Sequence, residues 1–218
     1  MRNRFDRQLE ELHVELIEMG SMCEDVIRKT SKLLQSGDIK VAKEIRKEDC
    51  NIDDQERLVE SLCLKLLLQQ QPVAKDLRKV SAALKMITDM ERIGDQTADI
   101  ADIVMSTKFE ENQSLADIRL MAEAAAKMVH DSVSAYVQKN LELARRVMCA
   151  DDTVDAMFDK IKQELVDFIS KRESTNADQA IDLIMIAKYL ERIGDHATNI
   201  AEWVEFSITG THASLTQL

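Results

Sequence analysis

Residues 5–34 read FDRQLEELHVELIEMGSMCEDVIRKTSKLL. Within them Phe5, Leu9, Leu12, Leu16, Met19, Cys23, Val26, Thr30 and Leu33 fall alternately four and three residues apart. That spacing puts all of them on one stripe of an α-helix, because side chains three and four apart overlie one another. A stripe sustained over about four heptads predicts one long helix, roughly 45 Å at ~1.5 Å per residue. Ser36-Gly37-Asp38 predicts its end: glycine closes one helix and aspartate caps the next.

The rest of the chain repeats this grammar. Five Gly and one Pro in 218 residues leave too few breakers for a strand-and-turn protein. Hydrophobic residues make up 45% and aromatics 4%, so Leu, Ile, Ala and Met must supply the core. A second helix is predicted from about 38 to 70. Pro72 starts a third, which runs to about Lys108, since its missing N–H costs nothing in a first turn. Ser114-x-x-Asp117 resembles a capping box and opens a fourth. Its stripe is Leu115, Ile118, Ala122, Ala125, Val129, Ser132 and Tyr136, and Lys139-Asn140 breaks it. A fifth helix follows to about Arg172. Ser174-Thr175-Asn176 caps a sixth, which reaches about Ile208 and leaves a frayed tail at 210–218.

The halves are copies. Residues 91–104 and 191–204 share eight of fourteen positions, beginning with Glu-Arg-Ile-Gly-Asp in each. Asp49-x-x-Ile52-Asp53 likewise matches Asp151-x-x-Val154-Asp155. The predicted fold is all-α: two tandem antiparallel three-helix bundles, over 1–111 and 112–209, produced by internal duplication.

Carboxylates occupy positions where apolar residues belong. Glu91 lies on the stripe Leu77, Val80, Leu84, Ile87, Glu91, Gly94, Ala98, Ala101, Met105, and Glu191 repeats the intrusion in the sixth helix. Asp95 and Asp195 stand one turn further on. Asp49 and Asp151 sit on the stripes of the second and fifth helices, with Asp53 and Asp155 a turn later. If each helix pair folds back at the turns near Gln71 and Ser174, these acids reach similar heights, and four converge in each bundle. Crowded carboxylates on an interface must be protonated, paired or bound to a cation. Glycine inside a helix costs about 1 kcal/mol relative to alanine, so Gly94 and Gly194 point to close helix approach or room for an ion. The expected metal ligands are Glu91, Asp95, Asp49, Asp53, Glu191, Asp195, Asp151 and Asp155. Oxygen-only donors suit Mg, Mn or Fe. The competing reading pairs them with Arg28, Lys29, Lys127, Arg92 or Arg192. His196 beside Asp195, against Gln96 in the first half, suggests sites of different preference.

The formal charge of −11 argues against a nucleic-acid backbone or an anionic membrane as partner. Cys23, Cys50, Cys63 and Cys149 form no CxxC pair and read as reduced thiols of a cytoplasmic protein, with Cys23 and Cys63 on apolar stripes. No signal peptide or membrane-length apolar run is visible.

With the duplicated layout, ExxxD within both ERIGD copies and Gln71-Pro-Val-Ala-Lys-Asp-Leu-Arg78, the chain resembles the PhoU family from about Phe5 to Ser207. The resemblance implies a metal-binding regulator of phosphate uptake and phosphate-starvation signalling. It would act as an adaptor between the ATPase of a phosphate ABC transporter and a sensor histidine kinase, as a homodimer reaching the membrane only through partners. It implies metal at Glu91/Asp95 and Glu191/Asp195. Asn199 replaces the acid found at Asp99, so equal stoichiometry in the two halves is not implied.

Two other readings are weighed. A helical di-metal carboxylate enzyme needs Glu-x-x-His on two helices, and Glu10-x-x-His13 is the one match. No Walker loop, HExxH or nucleophile motif is present, so the expectation is a non-enzyme. A purely structural interaction module would hold the carboxylates in salt bridges and take no metal.

Overall fold

The structure is a computed structural model that describes residues 2–70, 74–109, 112–170 and 177–211. They form six helices: α1 (Arg2–Ser36), α2 (Ile39–Gln70), α3 (Ala74–Ser106), α4 (Gln113–Gln138), α5 (Leu141–Ser170) and α6 (Ala177–Thr209). The all-α expectation holds. The proposed starts at Pro72 and at Ser174-Thr175-Asn176 lie outside the described residues, as does most of the 210–218 tail.

The α1 stripe is the core of the first half. Leu12, Leu16, Met19, Cys23, Val26, Thr30 and Leu33 are all buried. At the end of α1, Gly37 takes φ +63° and its N–H donates to Leu33 O at 2.8 Å. Asp38 Oδ1 then accepts from Lys40 N at 2.8 Å and caps α2, as expected. At the α4–α5 break, Lys139 adopts the left-handed conformation (φ 51°, ψ 42°). Asn140 Oδ1 accepts from Leu143 N at 3.0 Å to open α5. The capping-box expectation fails at α4. The N-cap is Asn112, whose Oδ1 accepts from Leu115 N at 2.8 Å. Asp117 instead turns inward, 8% exposed, and accepts from Lys160 Nζ on α5 at 2.8 Å. Leu77 also departs from its stripe and is exposed.

Each half is a three-helix bundle, with α2 against α1 and α3, and α5 against α4 and α6. The halves join through α3 against α6 and α1 against α4, and their buried side chains form one continuous core. Both junctions are antiparallel. Across α3–α6, Asp89 Oδ1 meets His196 Nδ1 at 2.9 Å and accepts from Asn199 Nδ2 at 3.0 Å, and Thr107 Oγ1 donates to Asp182 at 2.6 Å. Across α1–α4, a Cβ on Gly20 would stand 2.7 Å from Val133 Cγ1, so only glycine permits that crossing. Thus α2 and α5 lie away from the junctions between the halves, α2 packed on α1 and α3 and α5 on α4 and α6.

Candidate metal centre

The acidic seam residues lie where α2 crosses α3 and α5 crosses α6. Gly94 and Gly194 mark both crossings. A Cβ on Gly94 would meet Asp49 Oδ1 at 3.0 Å and Ile52 Cδ1 at 3.3 Å. A Cβ on Gly194 would meet Val154 Cγ1 at 3.4 Å and Asp151 Oδ1 at 3.5 Å. In each half a missing side chain therefore lets an aspartate lie against the facing helix. Oδ1 of Asp49 and Oδ1 of Asp151 are sealed from solvent and make no well-formed hydrogen bond among the described residues, although the Thr198 hydroxyl lies near enough to the Asp151 carboxyl to favour its charged form. A buried carboxylate oxygen left bare is costly, and a cation would relieve it.

The electrostatics agree. Burial, then Asp53 and Asp95, push the Asp49 carboxyl up from 3.8 to about 6. Burial, then Asp195 and Asp155, do the same to Asp151, also to about 6. Asp195 is raised by burial, Glu191 and Asp155, and Glu91 by burial and Asp95. Each carboxylate loses water and gains negative neighbours, and both effects favour the proton or another positive charge.

The second half draws its acids together. Asp151, Asp155 and Asp195 each offer an oxygen, and these oxygens lie within 4.8 Å of one another. Ligands around a Mg²⁺-sized ion at about 2.1 Å stand about 3–4 Å apart, so small side-chain rotations would close this set. Asp155 and Asp195 reach solvent, which supplies an entry path and water for the remaining positions. Glu191 stands apart. Both of its oxygens accept from Lys188 Nζ, at 2.6 and 2.5 Å. Lys188 itself lies 5.2 Å from the Phe158 ring centroid, in a cation–π position. Sequence reasoning passed over Lys188, although its place three residues before Glu191 on a helix is a recognisable pairing signal.

The first half is arranged differently. Arg92 Nη1 donates to Asp95 at 2.8 Å and its Nε lies 3.5 Å from Glu91. Arg57 reaches Asp53 at 3.9 Å and Asp54 at 3.0 Å. Among the described residues, Asp49, Asp53, Asp95 and Glu91 do not close into a group like that of the second half. Of the other cations weighed for pairing, Arg28 engages Asp25, Lys29 engages Glu48 and Lys127 engages Asp131. His196 faces Asp89 of α3 rather than the aspartates of α5. Cys23 and Cys63 are buried, Cys50 and Cys149 exposed. No described helix is long and apolar enough to cross a membrane.

The donors present, three carboxylates of which Asp151 carries the orphaned oxygen against Gly194, fit a hard or borderline divalent cation in the second half. In the first half the same fit requires Arg92 to move.

Comparison with known proteins is consistent along the whole chain. The sequence model of the PhoU domain matches twice, at residues 16–104 and 118–204. A Clostridium acetobutylicum protein named phosphate-specific transport system accessory protein PhoU homolog is 38% identical over 216 residues, covering 98% of both chains. The crystal structure of PhoU from Pseudomonas aeruginosa superposes with a TM-score of 0.91 at 30% identity, over 95% of this chain and 100% of that one. The phosphate transport system regulatory protein PhoU from Streptococcus pneumoniae gives 0.86 at 25% identity, over 95% and 98%. With both halves matched and relatives aligned end to end, the chain belongs to the PhoU family.

Proposed function

We propose that this protein is a metal-binding, non-enzymatic regulator of phosphate uptake and phosphate-starvation signalling. In this reading it works in the cytoplasm as an adaptor between a phosphate transporter ATPase and a sensor histidine kinase, and pairs as a homodimer. Its relatives' names, a transport system accessory protein and a transport system regulatory protein, support the process. The units of duplication are proposed to be 1–111 and 112–209.

One observation carries the metal reading: the convergence of Asp151, Asp155 and Asp195, with Asp151 Oδ1 buried and unpartnered beside Gly194. Salt bridging takes up Glu91, Asp95 and Glu191 but leaves Asp49 Oδ1 and Asp151 Oδ1 bare, which weighs against a purely structural role. The proposed ligands are Asp151, Asp155 and Asp195 in the second half, and Asp49, Asp53, Asp95 and Glu91 in the first. Glu191 joins only if it leaves Lys188. Bound there, a divalent ion supplies positive charge that locks α5 to α6 and α2 to α3.

Elemental analysis of untagged protein purified without chelator tests this. Wild type should carry stoichiometric Fe, Mn or Mg, and Asp151→Asn with Asp195→Asn should lose part of it. Equal metal content in wild type and the double variant would refute the second-half site. For the adaptor role, purified transporter ATPase and kinase cytoplasmic domain should each be retained by the immobilised protein. Retention of neither would refute it.

A further inference from the structure

The two halves carry the same Glu-Arg-Ile-Gly-Asp segment, yet their side chains settle differently. The cause lies in the surrounding positions. Where α3 has Thr88, α6 has Lys188; where α2 has Glu56, α5 has Phe158; where α2 has Arg57, α5 has Asp159. In the second half, Lys188 sits by the Phe158 ring and clamps Glu191, outside the aspartate group. Lys188 and His196 act on Asp195 from a distance, but no lysine, arginine or histidine among the described residues forms an ion pair with Asp151, Asp155 or Asp195. In the first half there is no lysine at 88 and no ring at 56. Arg92 folds onto Asp95 and Glu91, and Arg57 onto Asp53.

We infer that the two carboxylate sites load in order, the α5–α6 site first, because the α2–α3 site already holds a tethered cation, Arg92, which a divalent ion must displace. The inference rests on the metal reading above and adds the order and its cause. A divalent ion entering the second half meets three oxygens already gathered within 4.8 Å and has no ion pair of theirs to break. An ion entering the first half must break the Arg92 contact with Asp95 and gather its ligands afterwards. Preorganisation favours the former, since ordering costs are met in folding rather than in binding. Arg92 is half exposed, so each contact it gives up is a surface-strength pair. The handicap expected from such a pair is about threefold in affinity, rising to about tenfold if both contacts are lost.

The test is a manganese(II) titration of the full chain at fixed salt. Free ion is followed by electron paramagnetic resonance, and folding of every variant is checked by circular dichroism. Wild type should show a tight and a weaker class of sites. Asp151→Asn should abolish the tight class, and Asp49→Asn the weaker one. Arg92→Gln should tighten the weaker class about three- to tenfold and leave the tight class unchanged. Arg92→Lys, which keeps a charge of shorter reach, should fall between. The order is overturned if the tight class survives Asp151→Asn and disappears in Asp49→Asn, if the classes are equal, or if Arg92→Gln changes neither. A wild-type chain that binds no manganese at all overturns the metal reading together with the order.

Discussion

Replacing either seam glycine by alanine is a matched pair of perturbations with opposite expected outcomes. Alanine inside a helix is more favourable than glycine by about 1 kcal/mol, since glycine loses more backbone freedom on folding. At Gly194 the added Cβ would lie 3.4 Å from Val154 Cγ1, 3.5 Å from Asp151 Oδ1 and 3.7 Å from Met128 Sδ. These are ordinary contacts, so the helical gain should survive and raise Tm by about 2–4 °C in a chain of this size. At Gly94 the Cβ would lie 3.0 Å from Asp49 Oδ1 and 3.3 and 3.4 Å from two methyl carbons of Ile52. Overpacking of this kind costs about 1–3 kcal/mol, which offsets the gain and leaves a net loss of up to about 2 kcal/mol. Thermal denaturation in the presence of chelator reads both changes without interference from metal. If Gly94→Ala stabilises as much as Gly194→Ala, then Asp49 is not pressed against α3, and the close-approach account of the first half is wrong.

Asp49 and Asp151 also govern pH dependence. Their native carboxyls hold protons to about pH 6, while the unfolded chain releases them near 3.8, so their contribution to stability is full below 3.8 and is lost as pH rises through about 6. Asp49→Asn and Asp151→Asn should therefore stabilise the metal-free protein above pH 6, with the benefit vanishing near pH 4 in denaturant titrations. The full displacement would correspond to about 3 kcal/mol each, and partial solvent access reduces the expectation to about 1 kcal/mol. Manganese affinity should rise with pH up to about 6 and level off above it, because the proton and the ion compete for the same oxygens; isothermal titration in several buffers measures this. Asp89→Ala should cost about 1–3 kcal/mol by leaving His196 and Asn199 without their shared acceptor at the α3–α6 junction, read by chemical denaturation.

The legible parts of the sequence were those controlled by local period. The α1 stripe, the break at Gly37 and the duplication all reflect rules acting within a few turns of one helix. That Asp49 and Asp151 face α3 and α6 was legible too, because antiparallel pairing converts residue number into height; that they lie against Gly94 and Gly194, rather than level with Glu91 and Glu191, was not. Other features depended on choices among near-equivalent residues. Asn112 and Ser114 can both cap a helix, and the chain uses Asn112 while Asp117 is drawn inward by Lys160. The α3–α6 junction was invisible, because Asp89, His196 and Asn199 look like a solvated face until the other half covers them. The inequality of the two sites was only partly visible, through Asp99 and Asn199. Arg92 turns to Asp95 and Lys188 to Glu191 beside different residues of the facing helix. Lys188 lies by the Phe158 ring of α5, and the Arg92 charge acts on Glu56 of α2, which holds the matching place.

A crystal grown from chelator-treated protein and soaked in manganese(II) shows whether an ion sits between α5 and α6. Anomalous scattering should place an ion among the carboxylates of Asp151, Asp155 and Asp195, next to Gly194, with Lys188 still on Glu191. A map with no anomalous peak there, and a lysine or arginine side chain filling the space between those three aspartates, would contradict the account.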